Sequence, residues 1–443
     1  MTEAPRTYIR GICPRQAPER LSPKRGVRYP SADLCPRIPA KGIDFEDAVR
    51  EVVSKAKRLP AESVRLTDCL GRTLAGDVRA GAPIPPFAKS TMDGYAVRAA
   101  DTRPAEGAAG VELDVIEDLP AGRCCRSAIG PGQAVRIMTG APLPKGADAV
   151  VMVEYTEKAG GRVKVLRPVR AGDNTGQAGE DVRKGEIVLG KGDLIGPAEV
   201  GMLAALNRAA VRVTRRPRLA VVATGDEIVE PGRRKLRPGQ IRNANGHALR
   251  AMALQAGAEA DYLGIARDRS ASLAARIGKA GKADILILSG GVSVGDYDLV
   301  KEELRALGVR PVFWQVRIKP GKPVFFGLQG RRLVFGLPGN PTSAMVTFHL
   351  FVRPALDRML GRTSRGLRAG RAVLERDISL KPGRTQFLRG ILAAGGPELR
   401  VDTFPDQKSG VLRSMVGSRV LIVVPPDVSR IEKGSAVDVL FMD

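Results

Sequence analysis

Three times between Arg216 and about Arg365, a short aliphatic run ends in a polar or glycine-rich loop and gives way to a helical pattern. Leu219–Ala223 runs into TGDE at Thr224–Glu227, Ile285–Leu288 into SGGVSVGD at Ser289–Asp296, and Leu333–Phe335 into LPGNP at Leu337–Pro341. Unbroken aliphatic runs of this kind suit strands buried on both faces, and strands that alternate with helices build a parallel-type sheet. Turns at the carboxyl ends of such strands open on one crevice, so three segments far apart in sequence are expected to face a common ligand. The expected fold is therefore multi-domain α/β plus β, centred on an α/β domain at residues 216–365.

At 443 residues the chain exceeds what one hydrophobic core organises; about 150 residues per unit gives roughly three. Residues 1–42 are rich in Pro, Lys and Arg without apolar periodicity, and read as a disordered basic extension that catalysis can do without. Order is expected to begin at Asp44, an N-cap candidate ahead of Phe45, Ala48, Val49, Val52 and Val53 at helical spacing. Residues 43–76 and 171–215 are assigned to one discontinuous linker domain, with Pro197 opening a helix that reaches Leu206. Between them, residues 77–170 carry short alternating runs such as Val111–Ile116 and Ala149–Val153, separated by Pro and Gly, and read as a β-rich insert. Residues 366–443 show turns between aliphatic runs such as Val420–Val424 and Val437–Phe441, the pattern of a small β-barrel.

Composition narrows the function. Apolar residues reach 43% but aromatics only 4%, so the cores must be built from Ala, Val, Leu and Ile. There is no apolar run long enough to span a bilayer and no secretory pattern at the start, which makes the cytoplasm the expected location. Cys13, Cys35, Cys69, Cys124 and Cys125 lack CxxC spacing and His247 and His349 are the sole histidines, so a zinc site is not expected. The net charge of +24 could mark a nucleic-acid surface or attract anionic substrates, but its basic residues are scattered without interleaved aromatics, which disfavours nucleic acid.

Chemistry is expected at the three loops. Ser289, Gly290, Gly291 and Ser293 combine glycines that let a backbone approach a ligand with hydroxyls and a following helix start, an arrangement suited to phosphate. LPGNP, with Pro338 and Pro341, fixes a rigid turn. IKPGKP sets Lys319 and Lys322 on either side of a Pro-Gly turn, able to aim two ammonium groups at one anion. Asp226, Glu227, Asp268, Asp296 and Asp298 all fall at or just beyond expected strand ends. Helix capping would explain any one of them, whereas a cluster beside phosphate suits Mg²⁺, with Glu227 and Asp298 converging on the ion from different strands.

These loops also carry a resemblance. PPFAKSTMDGYAV at Pro85–Val97, RIMTGAPLPKGADAVV at Arg136–Val151, GEDV at Gly179–Val182, ATGDE, SGGVSVGD, IKPGKP and LPGNPTSA occur in one order from Ile43 to the C-terminus. In this the chain resembles the molybdopterin molybdenumtransferase family, the bacterial MoeA proteins and the gephyrin E domain. The resemblance implies an elongated homodimer of four-domain subunits, with a dimerising linker domain, a molybdopterin-binding α/β domain, and a cleft that joins the α/β domain of one subunit to β-rich segments of the other. It implies a Mg²⁺-dependent reaction in which molybdate enters adenylated molybdopterin and AMP is released. It further implicates Asp93, Thr139, Asp181, Glu227, Asp268 and Asp298 in catalysis, and Lys319, Lys322, Pro338 and Pro341 in substrate binding. Departures from the family pattern fall at Ala88 and Lys89, Thr175 to Ala178, and Arg242 and Asn243. The alternatives are a molybdopterin adenylyltransferase, which would be a single α/β domain, and a catalytically weakened scaffold.

Overall fold

The computed structural model describes residues 42–105, 110–232, 235–291, 299–363, 366–393 and 398–442. The basic extension, with Cys13 and Cys35, lies outside them, as do Ser293, Asp296 and Asp298. Two compact units emerge. One takes in residues up to Ser63, Gly71–Ala75 and everything from Arg212; the other comprises Val64–Leu70 and Gly76–Val211.

The first unit is built on a six-stranded sheet in the order Glu259–Ala266, Arg218–Thr224, Ile285–Ser289, Arg332–Leu337, Phe325–Gln329, Arg310–Trp314. Its first four strands are mutually parallel, and the antiparallel strand Phe325–Gln329 links them to Arg310–Trp314. The aliphatic runs divide by parity, because side chains alternate across a strand. Leu219, Val221, Ile285, Ile287, Leu333 and Phe335 point into one core; Ala220, Val222, Leu286, Leu288 and Val334 point into the other. The helix Ser270–Gly278 covers the second face with Leu273 and Ile277, while Asn245–Gln255 covers the first with Leu249 and Met252. Each fully buried Leu, Ile or Val stabilises the sandwich by about 1.5–3 kcal/mol, enough to make unbroken aliphatic strands the natural centre of a parallel sheet.

The helix Phe45–Lys55 joins this first core through Ala48, Val49 and Val52, so it packs with the α/β sheet. Asp44 does stand at its N-cap position, but its carboxylate makes no capping bond. It accepts hydrogen bonds from Arg317 instead, with Nε at 2.7 Å. A guanidinium offers a carboxylate a charge-assisted bond that outcompetes a neutral backbone amide.

After LPGNP the chain runs helically through Pro341–Thr347, a π-helical turn at Phe348–Val352, and Arg353–Leu360. The π turn buries His349, whose Nδ1 has no hydrogen-bond partner among the described residues, and burial next to Arg353 drives its pKa from 6.5 down to about 4. The imidazole is thus neutral in the fold but takes up a proton when unfolded below pH 6.5. Stability should be intact above pH 6.5 and fall progressively towards pH 4, by about 3 kcal/mol in all. Urea titrations between pH 7 and pH 4.5 should show this loss in the parent chain and a flatter profile in His349→Phe; equal slopes would show that carboxylates, not His349, govern the acid limb.

The second unit contains a six-stranded sheet ordered Ala149–Met152, Gly94–Val97, Gln133–Ile137, Val111–Leu119, Arg162–Val165, Thr156–Ala159, all within the stretch read as a β-rich insert. Tyr95, Val97, Leu113, Ala134, Val151 and Val163 fill its core. The expected helix opens at Pro197 and runs to Ala205, with Glu199 accepting from the Gly196 N–H at 2.8 Å.

The described residues between 366 and 442 form a closed barrel. Its strands Arg368–Leu374, Thr385–Ala393, Arg400–Thr403, Val420–Val424 and Ala436–Phe441 close where Thr385–Ala393 pairs with Val420–Val424. Leu388, Val401, Ile422 and Val439 are buried inside. A short strand, Ile318–Lys319, crosses from the α/β domain to pair with the barrel at Thr385 and Gln386. That pairing brings the IKPGKP lysines to the barrel's edge.

Candidate functional site

At the carboxyl ends of the parallel strands lies a pocket of about 460 Å³, walled by all three loops read from the sequence. Thr224, Gly225 and Glu227 come from the first, Ser289, Gly290 and Gly291 from the second, Pro338 and Pro341 from the third, and Asp268 follows the neighbouring strand. Convergence follows from the parallel topology, which stacks the three strand ends side by side.

The loops are tied to one another. Asn245 Nδ2 donates to Ser289 Oγ at 2.9 Å and to the Gly339 carbonyl at 2.8 Å, bridging the second and third. Gly290 N–H donates to the Leu337 carbonyl at 3.0 Å. A Cβ on Gly290, whose φ is +99°, would lie 2.7 Å from the Thr224 carbonyl oxygen. This glycine is therefore required by the crossing of two loops, before any ligand is considered. Arg267 Nη1 holds the TGDE loop through the carbonyl of Asp226 at 2.8 Å. Asp226 and Asp268 each accept the other's backbone N–H, at 3.4 and 3.3 Å. Asp268 thus braces the loop as well as facing the pocket. Glu227 also faces the pocket, and its carboxylate has no hydrogen bond or ion pair with any described residue.

A second hollow of about 570 Å³ adjoins the first and shares Pro323, Pro338 and Asn340 with it. Lys319 and Lys322 line it from the α/β side, and Arg384, Lys408 and Ser409 from the barrel. Asn340, at the N-cap of the helix Pro341–Thr347, spends its side chain on Ser409 Oγ at 2.8 Å and so fastens the barrel loop to LPGNP. That loop is held from behind by Arg389. Its guanidinium is buried, donates to Ser414 Oγ at 3.1 Å and to the carbonyls of Asp406 and Lys408 at 3.2 Å each, and burial lowers its pKa to about 10, leaving it charged at neutral pH.

Within the second unit, Asp93 and Thr139 are brought together. Gly94 pairs with Ile137 across adjacent strands, so the residues flanking that pair share an edge. Asp93 accepts hydrogen bonds from the Thr139 N–H and hydroxyl, both at 2.7 Å, and these hold its carboxyl below the usual range. Gly94 is fixed by packing, since a Cβ there would sit 1.9 Å from the Val151 carbonyl oxygen. Asp181 is exposed in the loop after Gly179, with its N–H donating to the Ile84 carbonyl at 3.1 Å. Two of the sequence departures meet in this unit: Thr175–Gly176 pairs with Lys89–Ser90, and Lys89 forms an exposed ion pair with Glu180 at 3.4 Å.

Several site residues escaped the sequence reading. Arg384, Lys408 and Ser409 lie on the barrel, and nothing in their local pattern indicates which way the barrel docks. Asn245 reads as an ordinary helix start. Arg242 and Asn243 stood out solely as departures, and both line the first pocket, where Arg242 donates to the Glu230 carbonyl at 3.2 Å.

The fold and the paired hollows define a multi-domain α/β protein with a ligand crevice at a parallel sheet's carboxyl edge and an adjoining basic groove. Comparison with known proteins identifies the family. The MoeA N-terminal region (domain I and II) matches residues 43–207, the probable molybdopterin binding domain residues 220–358, and the MoeA C-terminal region (domain IV) residues 371–442. The molybdopterin molybdenumtransferase of Bacillus subtilis (strain 168) is 36% identical over 405 residues, 90% of this chain and 94% of its own. That of Staphylococcus aureus (strain Mu50 / ATCC 700699) is 33% identical over 404 residues, 90% of this chain and 96% of its own. The crystal structure of a molybdopterin biosynthesis MoeA protein from Pyrococcus horikoshii OT3 matches with a TM-score of 0.78 at 31% identity, across 90% of this chain and 99% of that one. The chain belongs to the molybdopterin molybdenumtransferase family.

Proposed function

We propose that this chain performs the molybdenum-insertion step of molybdenum cofactor biosynthesis, taking adenylated molybdopterin and molybdate as substrates and releasing AMP. The transferase class and the insertion step follow from family membership. Matches to N-terminal and C-terminal regions on either side of the α/β domain set the chain apart from a single-domain adenylyltransferase. The observation that carries the finer reading is the contiguity of two unlike hollows: a pocket rimmed by the glycine loop, joined to a groove lined by Lys319, Lys322, Arg384 and Lys408. The first suits the phosphate and pterin of an organic substrate, and the second an inorganic oxyanion waiting beside it. In this reading the Gly291 amide holds phosphate, the Gly290 amide being spent on the Leu337 carbonyl, Pro338 and Pro341 keep the shared wall rigid, and the lysines bind molybdate.

Mg²⁺ is the proposed cofactor, with Glu227 and Asp298 as its protein ligands. Among the described residues no three His, Cys, Asp or Glu side chains gather into a metal-holding group. Mg²⁺ needs none, since it keeps several waters and takes one or two carboxylates beside substrate phosphates, so a pocket-facing Glu227 without a partner among the described residues fits it. When bound, the ion would neutralise the charge of the pyrophosphate link. Asp93, Thr139 and Asp181 are proposed to serve the same reaction from the second unit.

Lys319→Ala combined with Lys322→Ala tests the groove. The apparent KM for molybdate should rise roughly tenfold or more, with the dependence on adenylated molybdopterin little changed. An unchanged molybdate KM would remove the groove from the reaction.

We further propose a cytoplasmic homodimer. Among the described residues no helix is long and apolar enough to cross a membrane. Light scattering at micromolar protein should give twice the chain mass, and a fully active species of single-chain mass would contradict the dimer.

A further inference from the structure

The same sheet has another concavity at its opposite end. About 530 Å³ opens where the strands begin. Arg310 and Leu333, both on its wall, flank Leu328 in the sheet register. At a rise of about 3.3 Å per residue, Leu333 lies roughly 16 Å along its strand from Pro338, so this hollow is separate from the pocket at the carboxyl ends.

Six cations line it: Lys55, Lys57, Arg58, Arg215, Arg310 and Arg331. The carboxylate on the wall, Asp284, is already engaged, accepting Arg215 Nη1 and Nη2 at 3.0 Å each and the Arg218 N–H at 2.8 Å. Arg58 Nη2 reaches the carbonyls of Leu74 and Ala75 at 3.3 and 3.4 Å, and Lys55 pairs with Glu51 at 3.7 Å. That leaves Lys57, Arg310 and Arg331, all exposed, none with an ion pair among the described residues. Unneutralised like charges around one concave volume raise its potential, and an anion placed there relieves their repulsion.

The floor is of another character. Leu59 and Leu328, half-buried, present apolar surface beneath the charged rim, with Leu333 and Met359 buried behind them. A hollow of this size takes a small molecule, guanidinium groups match phosphate oxygens in pairs, and an apolar floor gives a bare inorganic ion nothing to bind. We propose that this concavity is a second ligand site, built for an organic phosphate ester whose phosphate meets Lys57, Arg310 and Arg331 and whose apolar body rests on the floor.

The test is calorimetric titration of AMP into the full chain at low salt, with inorganic phosphate titrated in parallel. AMP should bind at a site that survives Lys319→Ala/Lys322→Ala and weakens at least about tenfold in Arg310→Ala/Arg331→Ala, with a smaller loss in Lys57→Ala. The affinity for AMP should exceed that for phosphate by about tenfold. All three exposed side chains can be shortened without opening the core, so melting temperatures should stay near that of the parent, and molybdenum insertion should be unchanged. An AMP isotherm identical in the parent and Arg310→Ala/Arg331→Ala would overturn the proposal, and so would phosphate binding as tightly as AMP.

Discussion

Glu227→Gln is expected to lower Mg²⁺-dependent AMP release by about a hundredfold or more while leaving the melting temperature nearly unchanged. The carboxylate faces the pocket and has no hydrogen bond or ion pair with a described residue, so the fold draws little from its charge. If Glu227 were simply a loop cap, replacement would cost about 0.5–2 kcal/mol of stability and spare catalysis. If it holds Mg²⁺ against the substrate, loss of its charge removes transition-state stabilisation, and each ~1.4 kcal/mol forfeited lowers the rate tenfold. Amide for carboxylate preserves volume, which keeps packing out of the comparison. Activity equal to the parent with a depressed melting temperature would make Glu227 a cap and end its assignment to the metal.

Arg389→Met is expected to destabilise the chain by about 2–4 kcal/mol and to raise the KM for molybdate roughly tenfold with kcat far less affected. Arg389 is 1% exposed. Its guanidinium donates to Ser414 Oγ and to the carbonyls of Asp406 and Lys408, while its own backbone carbonyl accepts from Gln407 Nε2 at 3.0 Å. Methionine would fill the space but leave buried acceptors without donors. The loop that presents Lys408 and Ser409 to the groove would then lose its rear support. Arg389 does not itself line the groove and meets it through the buried side of the loop at residues 406–408, so its influence on molybdate must pass through that loop. Urea titration reports the stability term and molybdate kinetics the positioning term; a destabilised variant with parental KM would confine Arg389 to a structural role.

What could be read in advance divides along a physical line. The buried strands were legible because a parallel strand covered on both faces shows unbroken aliphatics, and the runs beginning at Leu219, Ile285 and Leu333 are such strands. The convergence of Glu227, Asp268, Gly290 and Pro338 on one pocket was legible too, since parallel topology gathers strand ends whatever the loop details. Orientation between structural elements was not. Asp44 occupies its expected N-cap position yet bonds Arg317, a partner far along the chain that no local pattern names. Arg384, Lys408 and Ser409 reach the groove because Ile318–Lys319 pairs with a barrel strand, a contact between segments whose periodicities are independent. Gly290 was legible as special but for an incomplete reason: its missing side chain accommodates Thr224 as well as facing the pocket. Asp298 and Ser293 belong to the expected site and fall outside the described residues, so of the proposed metal ligands Glu227 is the one whose surroundings are described.

The most direct test is a single-pot assay. Purified protein incubated with adenylated molybdopterin, molybdate and Mg²⁺ should release AMP in step with recovery of activity in an added apo-molybdoenzyme, and both signals should vanish when Mg²⁺ is chelated. AMP release without cofactor recovery, or recovery that persists without Mg²⁺, would contradict the coupled insertion proposed for the pocket and its adjoining groove.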